Sequence, residues 1–357
     1  MAPVITEEIP LAPLTALGLG GPARFYADIG NAADLRFALR WADERALPIF
    51  ILGGGSNLVV ADEGFPGLVL RMRSRGMVWS ESGDETLVDV QAGQPWDEVV
   101  GGAIRHKAAG IECLSGIPGS AGAAPVQNIG AYGQEVGDVI RRVRVLDRRT
   151  YEEDDLDRDA CAFAYRDSLF RRDPGRYVIL SVSLRLVSGG PPCLAYEELA
   201  TALRRYVDPS LPQVRDMVLL LRRRKSMLLE EKDENRRSVG SFFKNPIVAG
   251  QAADALAGRA AAEGLLAAPQ DMPRFPLADG RVKLAAGWLI ERAGLAKGLR
   301  MGAVGISSKH ALALVHHGGG TTAELVRLAV HVRTAVRDRF GITLVPEPVF
   351  VGLDWPA

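Results

Sequence analysis

Residues 115–133 read S-G-I-P-G-S-A-G-A-A-P-V-Q-N-I-G-A-Y-G, and the fold of this 357-residue chain depends on them. Five glycines and two prolines break any helix, and the stretch lacks the charges typical of an exposed linker. Glycine lets main-chain N–H groups approach a ligand closely, and successive N–H groups in turn conformations surround phosphate oxygens. The pattern therefore indicates a loop that holds the phosphates of a cofactor. An ordinary glycine-rich surface loop is the alternative.

The composition is that of a globular protein of two or three domains, with 47% hydrophobic and 24% charged residues. Lys plus Arg and Asp plus Glu each number 43, so no net charge draws the chain to nucleic acid or to a membrane surface. We expect neither partner. An anionic ligand must then be held by a local cluster of donors.

The cysteines and the first ten residues predict a cytoplasmic protein. Cys113, Cys161 and Cys193 are widely spaced, odd in number and outside any metal-binding pattern, which fits a reducing compartment. The N-terminus is acidic where a signal peptide would be basic, and no apolar run is long enough to span a bilayer. The pair His316-His317 has no carboxylate at ligand spacing, so we expect no metal site.

A second glycine-rich segment, Gly53-Gly-Gly-Ser-Asn57, follows an apolar strand at 48–52. The next residues, 58–60, are extended, so this loop joins strand to strand and forms a second backbone nest. A G-x-G-x-x-A pattern at 18–23 matches the dinucleotide-binding fingerprint in residue types alone. A strand follows it where that fingerprint requires a helix, so we exclude a dinucleotide site there.

Hydrophobic periodicity predicts the remaining elements. A capping box, Thr321-x-x-Glu324, opens a helix that ends at Gly341. The other predicted helices are 32–46, 96–106, 214–229, 252–266 and one that starts at 283, and the predicted strands are 23–28, 87–90, 140–146, 177–186 and 342–344.

Four short segments carry side chains suited to chemistry. Tyr165-Arg166 lie side by side between charged turns. The basic run at 222–225 suits a nucleotide diphosphate, although a solvated helix face is the default. Ser241 and Asn245 flank two aromatics, which by themselves suit a strand end in the core. Glu347 stands between two prolines, which hold it extended and fix the direction of its carboxylate, although an exposed edge strand allows the same residue.

Together and in this order, the motifs resemble the UDP-N-acetylenolpyruvoylglucosamine reductases, the MurB family of flavoenzymes in peptidoglycan precursor synthesis. The resemblance runs from about Leu11 to Gly352. Gln127 and Tyr196 resemble the type I subgroup, in which such a tyrosine closes over the bound nucleotide. The motifs that carry the resemblance are 53–58, 116–122, 125–133, 165–168, 240–246 and Pro346-Glu347.

The resemblance implies an α+β fold. It consists of a two-part FAD-binding unit of the vanillyl-alcohol-oxidase/PCMH type and a smaller α+β C-terminal substrate domain. We expect the first part of the FAD-binding unit at 1–73, with 341–357 returning to it, the second part at 74–210 and the substrate domain at 211–340. The implied cofactor is FAD, with NADPH as hydride donor. The implied substrate is UDP-N-acetylglucosamine enolpyruvate, reduced to UDP-N-acetylmuramate, and a monomer is expected.

The resemblance also assigns the site residues. Arg166 would bind the substrate carboxylate, Ser241 would donate a proton to carbon, and Glu347 would stabilise the enolic form of the intermediate. The substrate itself would contact Tyr165, Tyr196, Arg222, Lys225 and Asn245. The cofactor would contact Gly53, Gly54, Gly55, Ser56, Asn57, Leu58, Gly116, Ile117, Pro118, Gly119, Ser120, Gly122, Asn128, Gly130, Ala131 and Tyr132.

Two departures from the family pattern flank the catalytic residues. Many relatives carry L-P-D-P where this chain has Ser226-Met-Leu-Leu, and Pro348 replaces a common valine. Two alternative functions remain open. An oxygen-using flavin oxidase of the same fold would not need Ser241, and a non-catalytic nucleotide-binding relative would be expected to lose at least one of the three catalytic residues.

Overall fold

The computed structural model describes residues 2–356. In chain order the strands are β1 (Thr6–Pro10), β2 (Pro22–Ile29), β3 (Ile49–Leu52), β4 (Leu58–Val60), β5 (Phe65–Met72), β6 (Met77–Ser82), β7 (Glu85–Gln91), β8 (Ala108–Ala109), β9 (Gly130–Ala131), β10 (Gln134–Glu135), β11 (Ile140–Asp147), β12 (Glu153–Asp157), β13 (Tyr177–Ser188), β14 (Ile247–Ala249), β15 (Arg274–Pro276), β16 (Arg281–Leu284), β17 (Arg300–Met301), β18 (Val304–Ile306), β19 (Leu314–His316) and β20 (Val349–Val351). The helices are α1 (Ala32–Asp43), α2 (Trp96–Arg105), α3 (Arg158–Cys161), α4 (Leu169–Arg172), α5 (Glu197–Leu203), α6 (Leu211–Arg224), α7 (Gly250–Ala262), α8 (Ala286–Arg292) and α9 (Thr322–Phe340).

The chain forms two compact units, and each contains separate stretches of sequence. The first unit takes in the segment up to Thr15, Gly21–Ser56 and Glu63–Leu229, and the second takes in Ala16–Gly20, Asn57–Asp62 and the segment from Glu230 onward. Two short pieces of the N-terminal half therefore belong to the second unit. The predicted functional division at 73, 210 and 340 stays a prediction.

The first unit contains the short two-stranded ladder of β9 and β10 and two larger sheets. One has the strand order β1-β2-β5-β3, with β5 parallel to both β2 and β3. The other is antiparallel in the order β12-β11-β13-β7-β6, and β8 pairs with the end of β13. Helix α1 contacts β2 and β5 and buries Leu35, Ala38 and Leu39. Apolar side chains of both sheets, α1 and α2 belong to one core, so the loops of this unit share a single support.

Helix α2 ties the central glycine stretch to that core. Trp96, its first residue, is 1% exposed, and its indole N–H donates to the carbonyl of Leu114 at 3.2 Å. The Trp96 backbone N–H donates to the carbonyl of Gly119 at 3.0 Å. A buried indole that finds its hydrogen-bond partner is well accommodated, so the residue fixes the helix start and the loop together.

The second unit is organised around α9. Leu325, Leu328, Val332 and Val336 lie along one face of this helix and are fully buried. They pack in a core with the sheets β14-β16-β15 and β17-β18-β19. A third pairing, β20 parallel to β4, joins the C-terminal strand to a strand from the N-terminal half.

Several local predictions are confirmed. The Gly53 loop connects two strands, and a strand, β2, follows the pattern at Gly18. Helices α1 and α2 start at the predicted residues, although α1 ends three residues early. Thr321 and Glu324 form the predicted capping box, and Gly341 ends α9 with a φ of 71°. Within residues 2–356, no helix is both long and apolar enough to cross a membrane.

Other predicted boundaries of helices and strands differ from those in the structure, and most of the differences have an identifiable physical reason. Helix α6 ends at Arg224 because Ser226 adopts a φ of 54°, which a helix does not accept. The segment at 281–284 is strand β16, and α8 starts only at Ala286, where the Asn245 side chain accepts its N–H at 2.9 Å. Helix α7 begins two residues early and ends at Ala262. No strand forms at 342–344, and the strand in this region is β20.

Asp62 caps α9 from outside the helix. Its two carboxylate oxygens accept the N–H groups of Thr322 and Ala323 at 2.7 and 2.9 Å, and the Thr322 hydroxyl donates to the carbonyl of Val60 at 2.6 Å. A carboxylate satisfies these unpaired donors and interacts favourably with the positive end of the helix dipole.

We therefore expect Asp62→Ala to lower the free energy of unfolding by about 1 kcal/mol, the usual effect of losing a helix cap. Urea denaturation followed by circular dichroism measures it. The neighbouring exposed Glu63→Ala is the control and should change the value by less than about 0.5 kcal/mol. Equal effects of the two substitutions would contradict the capping role.

Candidate functional site

Two glycine-rich loops of the first unit pack backbone against backbone. A methyl group placed on Gly54 would lie 2.6 Å from the Cα of Gly119, closer than side chains are found. The Ser56 hydroxyl donates to the carbonyl of Pro118 at 3.0 Å and ties the same two loops together. Gly55 has a φ of 68°, and a methyl group there would lie 1.9 Å from the carbonyl oxygen of Leu14. Only glycine fits at 54 and 55, because the chains touch at one position and turn left-handed at the other.

Between these loops lies a buried hydroxyl without a partner. Ser120 is 6% exposed, and its Oγ has no hydrogen bond to any other described residue. A methyl group on Gly53 would lie 2.8 Å from this oxygen, so the hydroxyl sits directly against the first loop. A buried polar group without a partner costs about 1–3 kcal/mol. The hydroxyl and the bare backbone therefore fit the phosphate oxygens and ring edge of a dinucleotide cofactor.

Asp97, at the start of α2, holds the central loop in place. It accepts the N–H of Gly116 at 2.6 Å and a bidentate pair of hydrogen bonds from Arg215 on α6, both at 2.7 Å. Burial alone would raise the pKa of the Asp97 carboxyl, but the bonds from Arg215 and Gly116 outweigh it and the pKa lies below its usual value. The carboxylate therefore stays charged and links the loop to two helices.

The second half of the glycine stretch is fastened by its own polar side chains. Asn128, 2% exposed with a φ of 46°, donates to Glu135 Oε2 and the carbonyl of Ala164 and accepts the N–H of Gly137. Its side chain therefore shapes the loop. The remaining predicted cofactor contacts of this stretch are all partly exposed along it: Gly116, Ile117, Pro118, Gly119, Gly122, Gly130, Ala131 and Tyr132.

Tyr132 and Tyr196 meet edge to face, with ring centroids 5.5 Å apart. Burial raises the pKa of Tyr132 to about 12, although the charge of Arg222 opposes the rise. The Lys225 ammonium lies 5.9 Å from the centre of the Tyr132 ring and forms an ion pair with Glu198 at 2.6 Å. Four residues predicted for substrate and cofactor contacts thus form one cluster in the first unit.

Arg222 lies in the same cluster. Its Nη2 donates to the carbonyl of Met227 at 2.8 Å, and its Nε is buried with no hydrogen-bond partner among the described residues. Burial lowers the pKa of this guanidinium, and the charge of Asp97 opposes the fall. A methyl group on Gly116 would lie 3.3 Å from the Nε, so the arginine reaches the central glycine loop. The alternative of a solvated helix face is therefore wrong for Arg222.

The side chain of Arg166 contacts the C-terminal part of the same glycine stretch. Its Nη2 donates to the carbonyl of Gly130 at 2.7 Å, and its guanidinium lies 5.3 Å from the centre of the Tyr165 ring. Arg166 has a φ of 54°, a strained value for a side-chain-bearing residue. The next helix, α4, is capped by Ser168, whose hydroxyl also donates to the carbonyl of Val126 at 2.6 Å.

Ser241 and Glu347 come together in the second unit through backbone pairing. The N–H of Glu347 donates to the carbonyl of Phe242 at 2.8 Å. The N–H of Lys244 donates to the carbonyl of Val345 at 2.9 Å. Asn57 accepts the N–H of Val349 at its carbonyl, 3.0 Å away, and its side-chain amide donates to the carbonyl of Glu347 at 3.4 Å. Asn57 and Leu58 are predicted cofactor contacts. Leu58 is the first residue of β4 and Asn57 precedes it, so both lie beside the Glu347 segment.

The sequence analysis did not identify Asp97 and Glu112, two carboxylates that hold loops of the site in place. Asp97 and Arg215 are 118 residues apart, and neither stands in a recognisable motif. Glu112, 1% exposed, accepts N–H groups from Gly110 and Cys193 and from the Gln134 side chain, at 2.7–2.9 Å. It fixes the segment that leads to Tyr196. Only its place one turn before the glycine stretch could have suggested it.

Comparison with family models agrees with this arrangement. Residues 23–150 match the model described as FAD binding domain, and residues 231–351 match the C-terminal domain of UDP-N-acetylenolpyruvoylglucosamine reductase. An FAD-binding unit followed by a smaller C-terminal domain, with mixed helices and strands, is the fold class that the sequence predicts. That prediction is confirmed.

Curated relatives match almost the entire chain. A UDP-N-acetylenolpyruvoylglucosamine reductase from Streptomyces avermitilis is 44% identical, over 98% of this chain and 95% of the relative. The protein of the same name from Salinispora arenicola is 45% identical, over 96% and 95%. The crystal structure of UDP-N-acetylenolpyruvylglucosamine reductase (MurB) from Thermus caldophilus has a TM-score of 0.65 at 24% identity and covers 98% of this chain and 99% of that one.

Gly54→Ala should lower the affinity for FAD at least about tenfold, because relieving a clash with Gly119 separates the two loops. Flavin absorbance retained after gel filtration measures it. Gly258→Ala on α7 is the matched control, since nothing lies within 4 Å of the added methyl group there. Full flavin retention in Gly54→Ala would contradict the close approach as the basis of binding.

Proposed function

Because this chain belongs to the UDP-N-acetylenolpyruvoylglucosamine reductase family, we propose that Arg166, Ser241 and Glu347 carry out the chemical step of its reaction. The enzyme is an FAD-dependent oxidoreductase of peptidoglycan precursor synthesis. It reduces UDP-N-acetylglucosamine enolpyruvate to UDP-N-acetylmuramate with NADPH as reductant. The two glycine loops would hold FAD, which would supply the terminal carbon of the enolpyruvyl group with a hydride taken from NADPH.

The backbone pairing of residues 242–244, which follow Ser241 directly, with the Glu347 segment is the observation that carries the proposal. Hydride addition leaves negative charge in the enolpyruvyl carboxylate, and the neighbouring carbon must then receive a proton. The hydrogen bond from Glu347 N–H to the Phe242 carbonyl holds the carboxyl and the hydroxyl on adjacent segments. No other described residue hydrogen-bonds the Ser241 hydroxyl, which suits a group that donates its proton to substrate.

Arg166 has the geometry required for the carboxylate. A guanidinium presents its N–H groups in a planar fork that matches a carboxylate, and it stays charged at all physiological pH. The bond to the Gly130 carbonyl and the contact with the Tyr165 ring restrict the direction of this fork. A restricted, preorganised charge stabilises the developing negative charge without reorganisation during the reaction.

Lys225, Arg222 and Tyr196 are proposed to hold the uridine diphosphate. The cluster supplies two cations and an aromatic hydroxyl, which together suit a diphosphate. The Lys225 ammonium forms an ion pair with the carboxylate of Glu198 at 2.6 Å. The diphosphate must therefore displace the carboxylate of Glu198 before it can reach the ammonium.

Asn245 and Tyr165 are proposed to assist in substrate binding. The Asn245 side-chain oxygen accepts the N–H of Ala286 at the start of α8, which fixes the orientation of its amide. We also propose that the enzyme is a cytoplasmic monomer. The free thiols of Cys113, Cys161 and Cys193 suit a reducing compartment.

Ser241→Ala should leave the reduction of FAD by NADPH unchanged and slow its reoxidation by the enolpyruvyl substrate about 10²–10⁴-fold, the usual effect of losing a positioned acid. Anaerobic stopped-flow absorbance follows the two half-reactions separately. Ser80→Ala on strand β6 serves as the control. Unchanged reoxidation in Ser241→Ala would exclude the proton-donor role, and flavin that reoxidises only with oxygen in the unmodified protein would favour the oxidase alternative.

Glu198→Gln should tighten binding of UDP to the FAD-loaded enzyme about two- to fivefold, because the competing ion pair of a partly exposed lysine is lost. Titration calorimetry measures the affinity. The adjacent, exposed Glu197→Gln should leave it unchanged, and Lys225→Gln should weaken it. Weaker binding in Glu198→Gln would show that the carboxylate orients Lys225 and does not compete with the ligand.

A further inference from the structure

The pair His316-His317 and the three glycines that follow have no part in the reaction described above. A cavity of about 300 Å³ opens beside them, within the second unit. Every residue that lines it is charged or is a histidine: Glu234, Arg236, Arg237, Arg300, His316 and His317. Three guanidinium groups therefore face a single carboxylate, and the cavity carries excess positive charge.

Arg237 is the least compensated of these cations. In the part of the chain that the structure describes, neither Arg237 nor Arg300 forms an ion pair. The Arg237 side chain runs between two glycines, and methyl groups on Gly18 and Gly318 would lie 3.5 and 3.3 Å from its Cδ and Nη1. Bringing a charge partly out of water without a counterion is unfavourable, so the site favours an anion.

The one carboxylate of the cavity is already engaged. Glu234 Oε1 accepts the hydroxyl of Ser308 at 3.1 Å. The backbone on both sides of it is held as well, because Asn235 accepts the N–H of Ser308 at 3.1 Å and the Lys309 ammonium pairs with Asp233 at 3.2 Å. Glu234 therefore offsets part of the positive charge and does not close an ion pair with any of the three arginines.

The two histidines differ in the hydrogen bonds that they can offer. His316 is 4% exposed, its Nε2 accepts the N–H of Gly320 at 3.1 Å, and its Nδ1 lies 3.1 Å from the carbonyl of Leu17. Both ring nitrogens of His316 therefore have hydrogen-bond partners within the protein. His317 is partly exposed at the cavity wall, so it is the histidine that responds to a change in the cavity.

We propose that this cavity binds a phosphate dianion, either as inorganic phosphate or as the phosphoryl group of a small phosphomonoester. Guanidinium forks bind phosphate oxygens in bidentate geometry, and the ring of His317 adds a further donor when it is protonated. The volume accommodates one phosphoryl group with a short organic substituent. Neither Lys225 nor Arg222 lines this cavity, so the assignment does not rest on how the uridine diphosphate is held.

The pKa of the His317 ring reports directly on whether an anion is bound in the cavity. Burial lowers its pKa first of all, and the charge of Arg300 and the neighbouring His316 lower it further, against the opposing effect of Glu234. Arg236 and Arg237 complete the charged groups around the cavity. A bound dianion offsets the positive potential of the arginines, so the pKa of His317 must rise when the site fills.

The test is an NMR titration of the FAD-loaded enzyme with labelled histidines. Inorganic phosphate and glycerol 3-phosphate are added in separate arms, with sodium chloride at equal ionic strength as the reference. We expect a saturable shift of the His317 signals, a higher His317 pKa, and little change at the three histidines outside the cavity. A response to both phosphate compounds identifies a phosphomonoester site, and a response to inorganic phosphate alone identifies a closed phosphate site.

Substitutions test whether phosphate bound in this cavity causes the shift of the His317 signals. Arg237→Gln and Arg300→Gln should each weaken the response about tenfold or more, which corresponds to one lost charge-assisted hydrogen bond. Arg300→Gln is informative even if Arg237→Gln fails to fold, since Arg300 is exposed. Arg292→Gln on α8 and Lys225→Gln should retain the full response. An equal response to chloride, no saturation, or loss of the response in Lys225→Gln would overturn the proposal.

Discussion

The close approach of two glycine loops is the constraint on which the first unit depends. Gly54 and Gly119 touch through their backbones, and neither loop can retreat. Trp96 holds the second loop through the Gly119 carbonyl and the Leu114 carbonyl, while Asp97 holds the N–H of Gly116. The backbones of the two loops are therefore held in a fixed arrangement by the protein itself. A site of this kind loses little conformational entropy on binding, because the ordering has already occurred during folding.

The same anchoring extends to the residues proposed to bind substrate. Arg215, which pairs with Asp97, lies on α6, and the end of α6 carries Arg222 and Lys225. Gly130, at the far end of the glycine stretch, orients Arg166. Hydrogen bonds at two points of the glycine stretch, Gly116 and Gly130, thus link it to Arg166 and to the helix that carries Arg222. In the second unit, main-chain pairing has the corresponding role, since it holds the Ser241 and Glu347 segments side by side.

Charge is distributed differently at the two anion-binding clusters. Lys225 has a carboxylate partner in Glu198, so its affinity for an anion is reduced by the ion pair that must be broken. Arg237 has no such partner and lies half-buried between glycines. The first arrangement favours a ligand with enough phosphate charge to compete, and the second favours any dianion of the right size. A net charge of zero for the whole chain conceals both clusters.

The sequence by itself determined the features that depend on local backbone chemistry. The capping box at Thr321 and the proline-flanked Glu347 act through their immediate neighbours, the glycines at 53–55 and 116–122 are visible as runs of breakers, and the order of these motifs along the chain is enough to indicate the family. Only the tertiary structure decided where α6 ends, that 281–284 is a strand, that Asp97 meets Arg215, and that β4 from the N-terminal half pairs with β20. Asp97 and Arg215, like β4 and β20, are partners more than a hundred residues apart, β16 forms because it pairs with β14 and β15, and α6 ends where Ser226 takes a left-handed conformation. A local pattern carries no information about such partners until the chain has folded and the contacts have formed.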